Sequence, residues 1–225
     1  MSSEIAHLFS RHAGEYDSWY ETPSGRVVLE AEARLLDKVL PLGIGLDLGA
    51  GTGVFAERLS RTREIVCLDP SPGMLERARG RCLHMVLGVA EFPPFRQGSL
   101  DFIYMVTVLE FLQEPLQALS AAKQLLKPTA VLAILSVEKN SSWGRLYQEL
   151  AAENKDPILA AGRFYSEGEV EGLLGRAGYH VYARGATLDY EPLTVPDKPP
   201  KIYVNERCPS CGVFLLLAAP PPRQP

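Results

Sequence analysis

The segment Gly45-Leu46-Asp47-Leu48-Gly49-Ala50-Gly51-Thr52-Gly53 joins a short apolar run to a stretch with helical spacing that begins at Val54. Its last three glycines alternate with other residues, which lets a strand-to-helix turn bend sharply and lets ligand atoms approach the backbone. The start of the following helix offers unpaired N–H groups and the positive end of the helix dipole. The segment therefore predicts a binding turn for a phosphate or a carboxylate.

Two residues of this segment bear on which ligand it binds. A dinucleotide fingerprint needs Gly or Ala three positions after Gly51, and the chain has Val54 there. Asp47 precedes the glycines, and an acid is unfavourable beside a pyrophosphate but favourable beside a cation. S-adenosylmethionine carries an ammonium and a sulfonium and no phosphate, so it fits better. A dinucleotide oxidoreductase remains an alternative that Asp47 and Val54 disfavour.

A second acid follows the next apolar run, residues 65–68. Asp69 stands at the carboxyl end of that predicted strand, where a carboxylate can accept hydrogen bonds from both ribose hydroxyls of an adenosine. Met74 follows one helical turn later and can pack on the face of the adenine. Asp69 and the glycine segment together predict an adenosyl site.

Short apolar runs alternate with helical segments along most of the chain. The runs cover residues 44–48, 65–68, 83–87, 100–106 and 130–137, and the helical segments 54–60, 72–81 and 115–126. Apolar strands separated by helices indicate a parallel sheet covered on both faces. An inserted helix at 141–154, a capped helix from Ser166 to Arg176 and a hairpin within 179–219 complete the pattern. We expect a Rossmann-like, doubly wound α/β fold with seven strands, the last antiparallel.

The ends of the chain differ from its centre. Residues 1–40 predict an N-terminal helical cap, residues 41–219 the main domain, residues 190–210 a loop, and residues 220–225 a Pro-rich disordered tail. Tyr16, Trp19 and Tyr20 in the cap predict either an aromatic lid over the ligand or an aromatic face packed on the core. Residues 138–165 are expected to help enclose an acceptor.

Several of these motifs, in this order, carry a family resemblance. Residues 46–53 and the segment Asp-Pro-Ser-Pro-Gly-Met-Leu at 69–75 resemble motifs I and II of the class I S-adenosylmethionine-dependent methyltransferases. The segment Gly-Val-Ala-Glu-Phe-Pro-Pro-Phe at 88–95, residues 99–103 and residues 126–128 resemble later motifs of that family. The resemblance spans residues 43–137 and is closest to the methyltransferase-11 group, which includes the ubiquinone and menaquinone biosynthesis methyltransferases.

The resemblance implies S-adenosylmethionine as cofactor, S-adenosylhomocysteine as product, and a defined set of binding residues. That set is Tyr16, Asp47, Gly49, Ala50, Gly51, Thr52, Asp69, Pro70, Met74, Ala90, Glu91 and Val106. Val89 departs from the family, which has an Asp there to accept from the adenine amino group. Either Glu91 makes that contact or it is lost, with the backbone of Ala90 still in reach of the ring.

The reaction expected from this resemblance is in-line transfer of a methyl group to a small-molecule acceptor. Thr107, Glu110 and Phe111 follow the fourth strand, where the acceptor pocket opens. Glu110 is a candidate base, although a carboxylate outside any motif is more often solvated; His7 and His12 are candidates of the same kind. No catalytic residue is assigned. The alternative is a non-catalytic S-adenosylmethionine-binding regulator or scaffold.

Composition excludes several other classes. The net charge is −4 without any run of Lys or Arg, which disfavours nucleic acid as partner. Residues 92–95, Phe-Pro-Pro-Phe, lack the leading Asp or Asn of nucleic-acid amino methyltransferases. No apolar run is long enough for a membrane span, and no signal peptide is expected.

Four cysteines are too few for a disulfide framework, so we expect a cytoplasmic protein. Cys208 and Cys211 predict a structural turn, with metal or redox roles as lesser alternatives. No metal site and no oligomeric state is assigned.

Overall fold

Five parallel strands form the centre of the sheet in the computed structural model, which describes residues 3–221. They lie in the order β3 (His84–Leu87), β2 (Glu64–Asp69), β1 (Ile44–Leu48), β4 (Leu100–Val106) and β5 (Leu126–Val137). Within this order Asp47 of β1 pairs with Cys67 of β2 on one side and with Tyr104 of β4 on the other. The loops that follow β1, β2 and β4 therefore meet at one edge of the sheet.

Antiparallel strands complete the sheet. Strand β8 (Val213–Ala219) runs antiparallel to β5 and to β6 (His180–Thr187), and β7 (Tyr203–Val204) pairs with β6 at the outer edge. The doubly wound α/β fold and the antiparallel last strand are confirmed. The expected count of seven strands is wrong by one, because β7 lies within the predicted loop at 190–210. Its two residues are too few to show the alternation that marks a strand.

Eight α-helices are assigned within residues 3–221, and most begin at a recognisable cap. They are α1 (Ser3–Trp19), α2 (Pro23–Val39), α3 (Val54–Leu59), α4 (Pro72–Arg77), α5 (Pro115–Leu125), α6 (Ser142–Ala152), α7 (Pro157–Ala161) and α8 (Glu167–Arg176). The capping box of Ser166 and Glu169 is confirmed. Helix α7 was not expected, since its five residues are too few for a helical repeat, although Asp156 and Pro157 form a standard start.

The sheet carries a hydrophobic core on each face. Phe102 and Tyr104 point to the face covered by α2 and α3, whereas Ile103 and Met105 point to the face covered by α5 and α8. Helix α2 belongs to the first core, because Leu35 and Leu36 on it are fully buried. Helix α1 lies outside this core and packs against α4 and α7. The N-terminal segment thus contains one core helix and one covering helix; residues 1, 2 and 222–225, with most of the predicted tail, lie outside the described residues.

The cysteines correct one expectation. All four are paired, Cys67 with Cys82 and Cys208 with Cys211. The first pair forms because the chain returns after α4 to pack Cys82 behind the glycine turn, and the second closes the turn before β8. A low cysteine count therefore did not mean unpaired thiols, and it no longer supports a reducing compartment. Among the helices of residues 3–221, none combines the length and hydropathy that a membrane crossing requires.

Candidate active site

The glycine turn follows β1 and is fixed to the end of β2. The backbone N–H groups of Gly49 and Ala50 both donate to the carbonyl of Leu68, at 2.8 and 3.1 Å. Gly49 has a φ of +84°, and a Cβ there would lie 2.6 Å from Val108 Cγ2, so a side chain does not fit. Around Gly51 there is more space, since a Cβ there would meet only Tyr16, at 3.8 Å. The turn therefore presents bare backbone to a space beneath Tyr16.

Asp69 stands beside this turn at the end of β2. One oxygen, Oδ2, accepts a 2.8 Å hydrogen bond from Gly51 N, and Oδ1 accepts one of 2.8 Å from Ser71 N. Burial raises the pKa of Asp69 to about 6, although these two hydrogen bonds oppose the rise. A carboxylate has about four acceptor sites, so two donors leave it able to accept from two hydroxyls.

Asp47 lies behind the turn rather than on its open side. The hydroxyl of Tyr104 donates to Asp47 Oδ2 at 2.8 Å, and the residue is 2% exposed. Burial raises the pKa of Asp47 to about 7; the Tyr104 hydrogen bond lowers it and the charge of Asp69 raises it further. Asp47 is thus placed to act on a bound cation through its charge.

A cavity of about 460 Å³ opens at the carboxyl edge of the sheet. Six of the twelve predicted site residues line it, namely Tyr16, Gly49, Gly51, Asp69, Met74 and Val106. The other six do not, namely Asp47, Ala50, Thr52, Pro70, Ala90 and Glu91. Ala50 and Thr52 are buried inside the turn, and Ala90 and Glu91 are buried in the chain that follows β3. The structure therefore gathers the two glycines and Asp69 on one surface.

Aromatic side chains form much of the remaining wall. Tyr16 of α1 and Tyr20 directly after this helix meet edge to face at 5.4 Å, and Trp143 and Tyr147 of α6 do so at 6.4 Å. Tyr20 also packs against Phe55 of the core, while Tyr16, Trp19 and Tyr20 all line the cavity. Helices α1 and α6 consequently cover the cavity from two sides with π surfaces.

Two acids in the cavity differ from what the sequence suggests. Glu110, which follows β4 in the short 3-10 helix Leu109–Phe111, is only 5% exposed, so the solvated position that is usual for such a carboxylate is wrong here. Glu32 of α2 is 4% exposed and was missed altogether. Its position among Val28, Leu29 and Leu36 on the apolar stripe of α2 is the signal that could have revealed it. Thr107 and Phe111 also line the cavity.

Burial raises the pKa values of both of these acids. It raises the pKa of Glu32 to about 8, with a further contribution from the charge of Glu110. It raises the pKa of Glu110 to about 7, a rise that Ser136 and Val137 oppose from nearby. Even so, neither carboxylate oxygen of Glu110 has a hydrogen-bond partner within residues 3–221. His7 lies elsewhere, with Nδ1 against the carbonyl of Ser3, and His12 stands at the rim.

Helix α1 is fastened to the chain that surrounds the glycine turn. Asp17 forms ion pairs with Arg81 and, at 3.7 Å, with Arg77. Arg81 Nη1 also donates to the carbonyl of Thr52 at 3.1 Å. Burial alone would raise the pKa of Asp17, but hydrogen bonds and the charge of Arg81 hold it below its usual value. One arginine thus connects the covering helix to the binding turn.

Comparison with known proteins agrees with this geometry. A family model described as a methyltransferase domain matches residues 46–134. A Thermotoga maritima structure, named as a SAM-dependent methyltransferase and possible histamine N-methyltransferase, superposes with a TM-score of 0.86 at 27% identity, over 96% of this chain and 99% of that one. Residues 46–134 of this chain thus match the methyltransferase-domain family, and the chain has the fold of the class I S-adenosylmethionine-dependent methyltransferases.

Two further relatives of the methyltransferase show how far the likeness extends. It is 27% identical to a malonyl-[acyl-carrier protein] O-methyltransferase of Geobacter sulfurreducens over 196 residues, which cover 78% of this chain and 70% of the relative. It is 33% identical to an uncharacterized protein of Mycobacterium tuberculosis over 184 residues, which cover 81% of this chain. The match spans 63% of the length of that mycobacterial protein. The enzyme class and its methyl donor, S-adenosylmethionine, are therefore shared, while the named acceptors differ.

Proposed function

We propose that this methyltransferase holds S-adenosylmethionine across the glycine turn and Asp69 and methylates a small molecule that enters the same cavity. The observation that carries this proposal is the position of Asp69, whose carboxylate is fixed by Gly51 N at 2.8 Å and faces the cavity. The bare backbone at Gly49 and Gly51 fits a ligand that approaches closely. A donor with an adenosyl group and an amino acid end matches both features.

Each part of the donor has a matching set of residues. Asp69 accepts the ribose hydroxyls and Met74 packs on the adenine. Pro70, Ala90 and Glu91 do not line the cavity, and they support this end from the chain after β2 and β3. Gly49 and Gly51 face the amino acid end, with the charge of Asp47 behind them. Tyr16 and Val106 lie beside the sulfonium, while Ala50 and Thr52 keep the turn in shape. The two charged atoms of the donor thus meet carboxylates and π faces.

The protein contributes to the reaction by holding the methyl donor and the acceptor in line and by excluding water. Bound S-adenosylmethionine supplies a methyl group on a sulfonium, which departs as a neutral thioether when an acceptor lone pair attacks in line. Holding two reactants in line is worth roughly 7–11 kcal/mol of barrier. Helices α1 and α6 close over the cavity and keep water from the activated methyl group. These contributions need no dedicated nucleophile from the chain.

A small acceptor fits the enclosed cavity better than a macromolecule. About 460 Å³ must hold the reacting parts of both ligands, and the walls are helices α1 and α6 rather than an open groove. The net charge of −4 is unfavourable for a polyanionic partner. The name of the Thermotoga structure gives histamine, an amine, as a possible acceptor. The name of the Geobacter relative gives malonyl-[acyl-carrier protein], a carboxylated carrier, as its acceptor. The chemistry of the cavity has to decide between such acceptors.

Calorimetry with S-adenosylhomocysteine tests the donor site. We expect Asp69→Asn to weaken binding about tenfold or more, because charge-assisted hydrogen bonds of roughly 1.5–3 kcal/mol are lost. Asp197→Asn is the matched control, since Asp197 is exposed in the loop after β6. Equal affinity of the Asp69→Asn variant and the wild type, with the fold intact, would remove Asp69 from the donor site.

A second measurement separates an enzyme from a binding protein that never turns its ligand over. Purified protein is incubated with S-adenosylmethionine and with separate mixtures of cationic, neutral or anionic small molecules as acceptors. The S-adenosylhomocysteine that forms is quantified by mass spectrometry. An enzyme shows formation that depends on one acceptor class. A regulator or scaffold shows only slow, acceptor-independent decay with every mixture.

A further inference from the structure

Two buried glutamates line the cavity, and neither has a partner of opposite charge within residues 3–221. Glu32 comes from α2 and Glu110 from the short helix after β4, and both line the cavity at 4% and 5% exposure. The carboxylate of Glu110 has no hydrogen bond within the described residues. Buried carboxylates are normally paired or hydrogen-bonded because desolvation is costly. This pair is therefore placed to receive a cation from a ligand.

The basic groups around the cavity are already engaged elsewhere. Of the described residues that line it, Lys155 and His12 are the basic ones. Lys155 Nζ lies 2.6 Å from a carboxylate oxygen of Glu153, and His12 Nδ1 lies 2.7 Å from one of Glu15. Neither is paired with Glu32 or Glu110. The inner cavity consequently keeps an acidic character.

The acidic groups sit within aromatic walls. Tyr16, Tyr20, Trp143 and Tyr147 line the same cavity, and Tyr147 packs on Phe164 with ring centroids 6.3 Å apart. Aromatic faces attract cations, and the attraction is stronger where water is excluded. Carboxylates among aromatic faces favour an organic ammonium over an anion of the same size. A carboxylate acceptor would meet two further carboxyl groups and no free basic side chain among the described residues that line the cavity.

We propose that the acceptor is a small amine that binds as its ammonium ion against Glu32 and Glu110 and is methylated on nitrogen. This inference rests on the proposed function and names the acceptor class for that same cavity. Both carboxyl groups contact the acceptor; the donor stays with Asp69 and the glycine turn.

The same two groups supply the proton acceptor that N-methylation needs. An ammonium ion has no lone pair, so it first gives a proton to Glu110 or Glu32, whose raised pKa values of about 7 and 8 suit that transfer. The freed lone pair of the amine then forms the N–C bond, and the electron pair of the breaking S–C bond stays on sulfur. The products are an N-methylammonium ion and S-adenosylhomocysteine. The carboxyl group afterwards returns its proton to water.

Calorimetry on protein saturated with S-adenosylhomocysteine tests this proposal through binding alone. The probes are 2-phenylethylamine, 2-phenylethanol and 3-phenylpropionate, which share a ring and differ in head-group charge; ethylamine and tryptamine extend the amine series in size. We expect at least one amine to bind about tenfold more tightly than 2-phenylethanol and 3-phenylpropionate not to bind. Glu32→Gln and Glu110→Gln are each expected to weaken that amine about tenfold.

The control variant is Glu30→Gln, which makes the same chemical change on an exposed position of α2. It is expected to bind amine and S-adenosylhomocysteine like the wild type. In addition, the amine that binds is incubated with S-adenosylmethionine, and its N-methyl product is identified by mass spectrometry.

Several results would overturn the amine proposal. They are no binding by any of the three amines, a preference for 3-phenylpropionate, full amine affinity in the Glu32→Gln/Glu110→Gln double variant, or an equal loss of S-adenosylhomocysteine affinity in the Gln variants. In the first three cases S-adenosylhomocysteine still binds and the proposed donor site stands. Failure of the wild type to bind S-adenosylhomocysteine would instead refute the proposed function.

Discussion

Asp47 and Tyr104 are neighbours on β1 and β4, and the hydroxyl of Tyr104 donates a 2.8 Å hydrogen bond to Asp47 Oδ2. Both side chains are buried, at 2% and 0% exposure. Burial raises the pKa of Asp47 to about 7, and this hydrogen bond limits the rise. The hydrogen bond thus stabilises the ionised form of Asp47 beneath the glycine turn, although the low dielectric opposes ionisation.

Tyr104→Phe should therefore destabilise the protein most when Asp47 is ionised. A folded-state pKa above the unfolded value means that stability is complete below about pH 4 and falls as pH rises through about 7. Loss of the hydrogen bond deepens that fall by about 1–3 kcal/mol at pH 8.5 and by less at pH 5.5. Urea unfolding at both pH values measures it. Tyr203→Phe removes an exposed hydroxyl bonded to Asp189 and should change little at either pH.

Glu32→Gln should stabilise the ligand-free protein at alkaline pH. The pKa of Glu32 is raised from its usual value to about 8, so its contribution to stability is complete below about pH 4.5 and is lost as pH rises through 8. A neutral amide avoids that penalty. We expect a gain of about 1 kcal/mol or more at pH 9, or about 2–4 °C in Tm, and little change at pH 5. Glu30→Gln serves as control, and an equal change in Tm at both pH values would contradict the raised pKa.

Asp17→Asn should loosen the covering helix without disturbing the sheet. Asp17 pairs with Arg81, and a lowered pKa means that the pairing stabilises the fold above the unfolded pKa and is lost as pH falls below it. At pH 7 the variant should exchange the amide hydrogens of α1 faster and bind S-adenosylhomocysteine about three- to tenfold more weakly. Glu4→Gln, an exposed change on the same helix, is the comparison. Unaltered exchange in α1 would show that the ion pair does not hold it.

Reduction of the disulfides should act in two stages. Cys208 is half-buried and its bond to Cys211 closes a turn with a sequence separation of only 3, so mild reductant should open it first with little loss of stability. Cys67 is fully buried, and its bond to Cys82 spans a sequence separation of 15. A loop of that length is worth about 3 kcal/mol, so its reduction should lower urea resistance markedly. Alkylation and intact mass should count no free thiols before reduction and four after it.

The sequence predicts well that the glycine turn and Asp69 lie together, because its signals are local. The glycine segment and Asp69 belong to consecutive strand ends, and parallel strands bring such ends to one edge whatever the rest of the chain does. The same reasoning correctly predicts the parallel centre of the sheet and the antiparallel β8. Where it failed, as for β7 and α7, the element has only two or five residues, too few for its pattern to repeat.

The acceptor side is less predictable because its residues are far apart in the chain. Glu32, Glu110 and Trp143 meet only after three separate helical segments have packed over the sheet. A glutamate outside any motif is expected at the surface, because glutamates are rarely buried. Only its position on the apolar face of α2 distinguishes Glu32 from a surface glutamate. The pairing of Cys67 with Cys82 was missed for the same reason, since it depends on how the chain returns after α4.

The Cys67–Cys82 bond closes a covalent ring that contains Asp69, Ser71 and Met74. Asp69 and Met74, which line one side of the cavity, therefore lie in a covalently closed loop, whereas the opposite side is formed by helices that are held by non-covalent packing. Substitutions on α2 and α6 can reshape that opposite side while the ring stays closed. Related proteins can accordingly evolve specificity for a different acceptor and still use the same methyl donor.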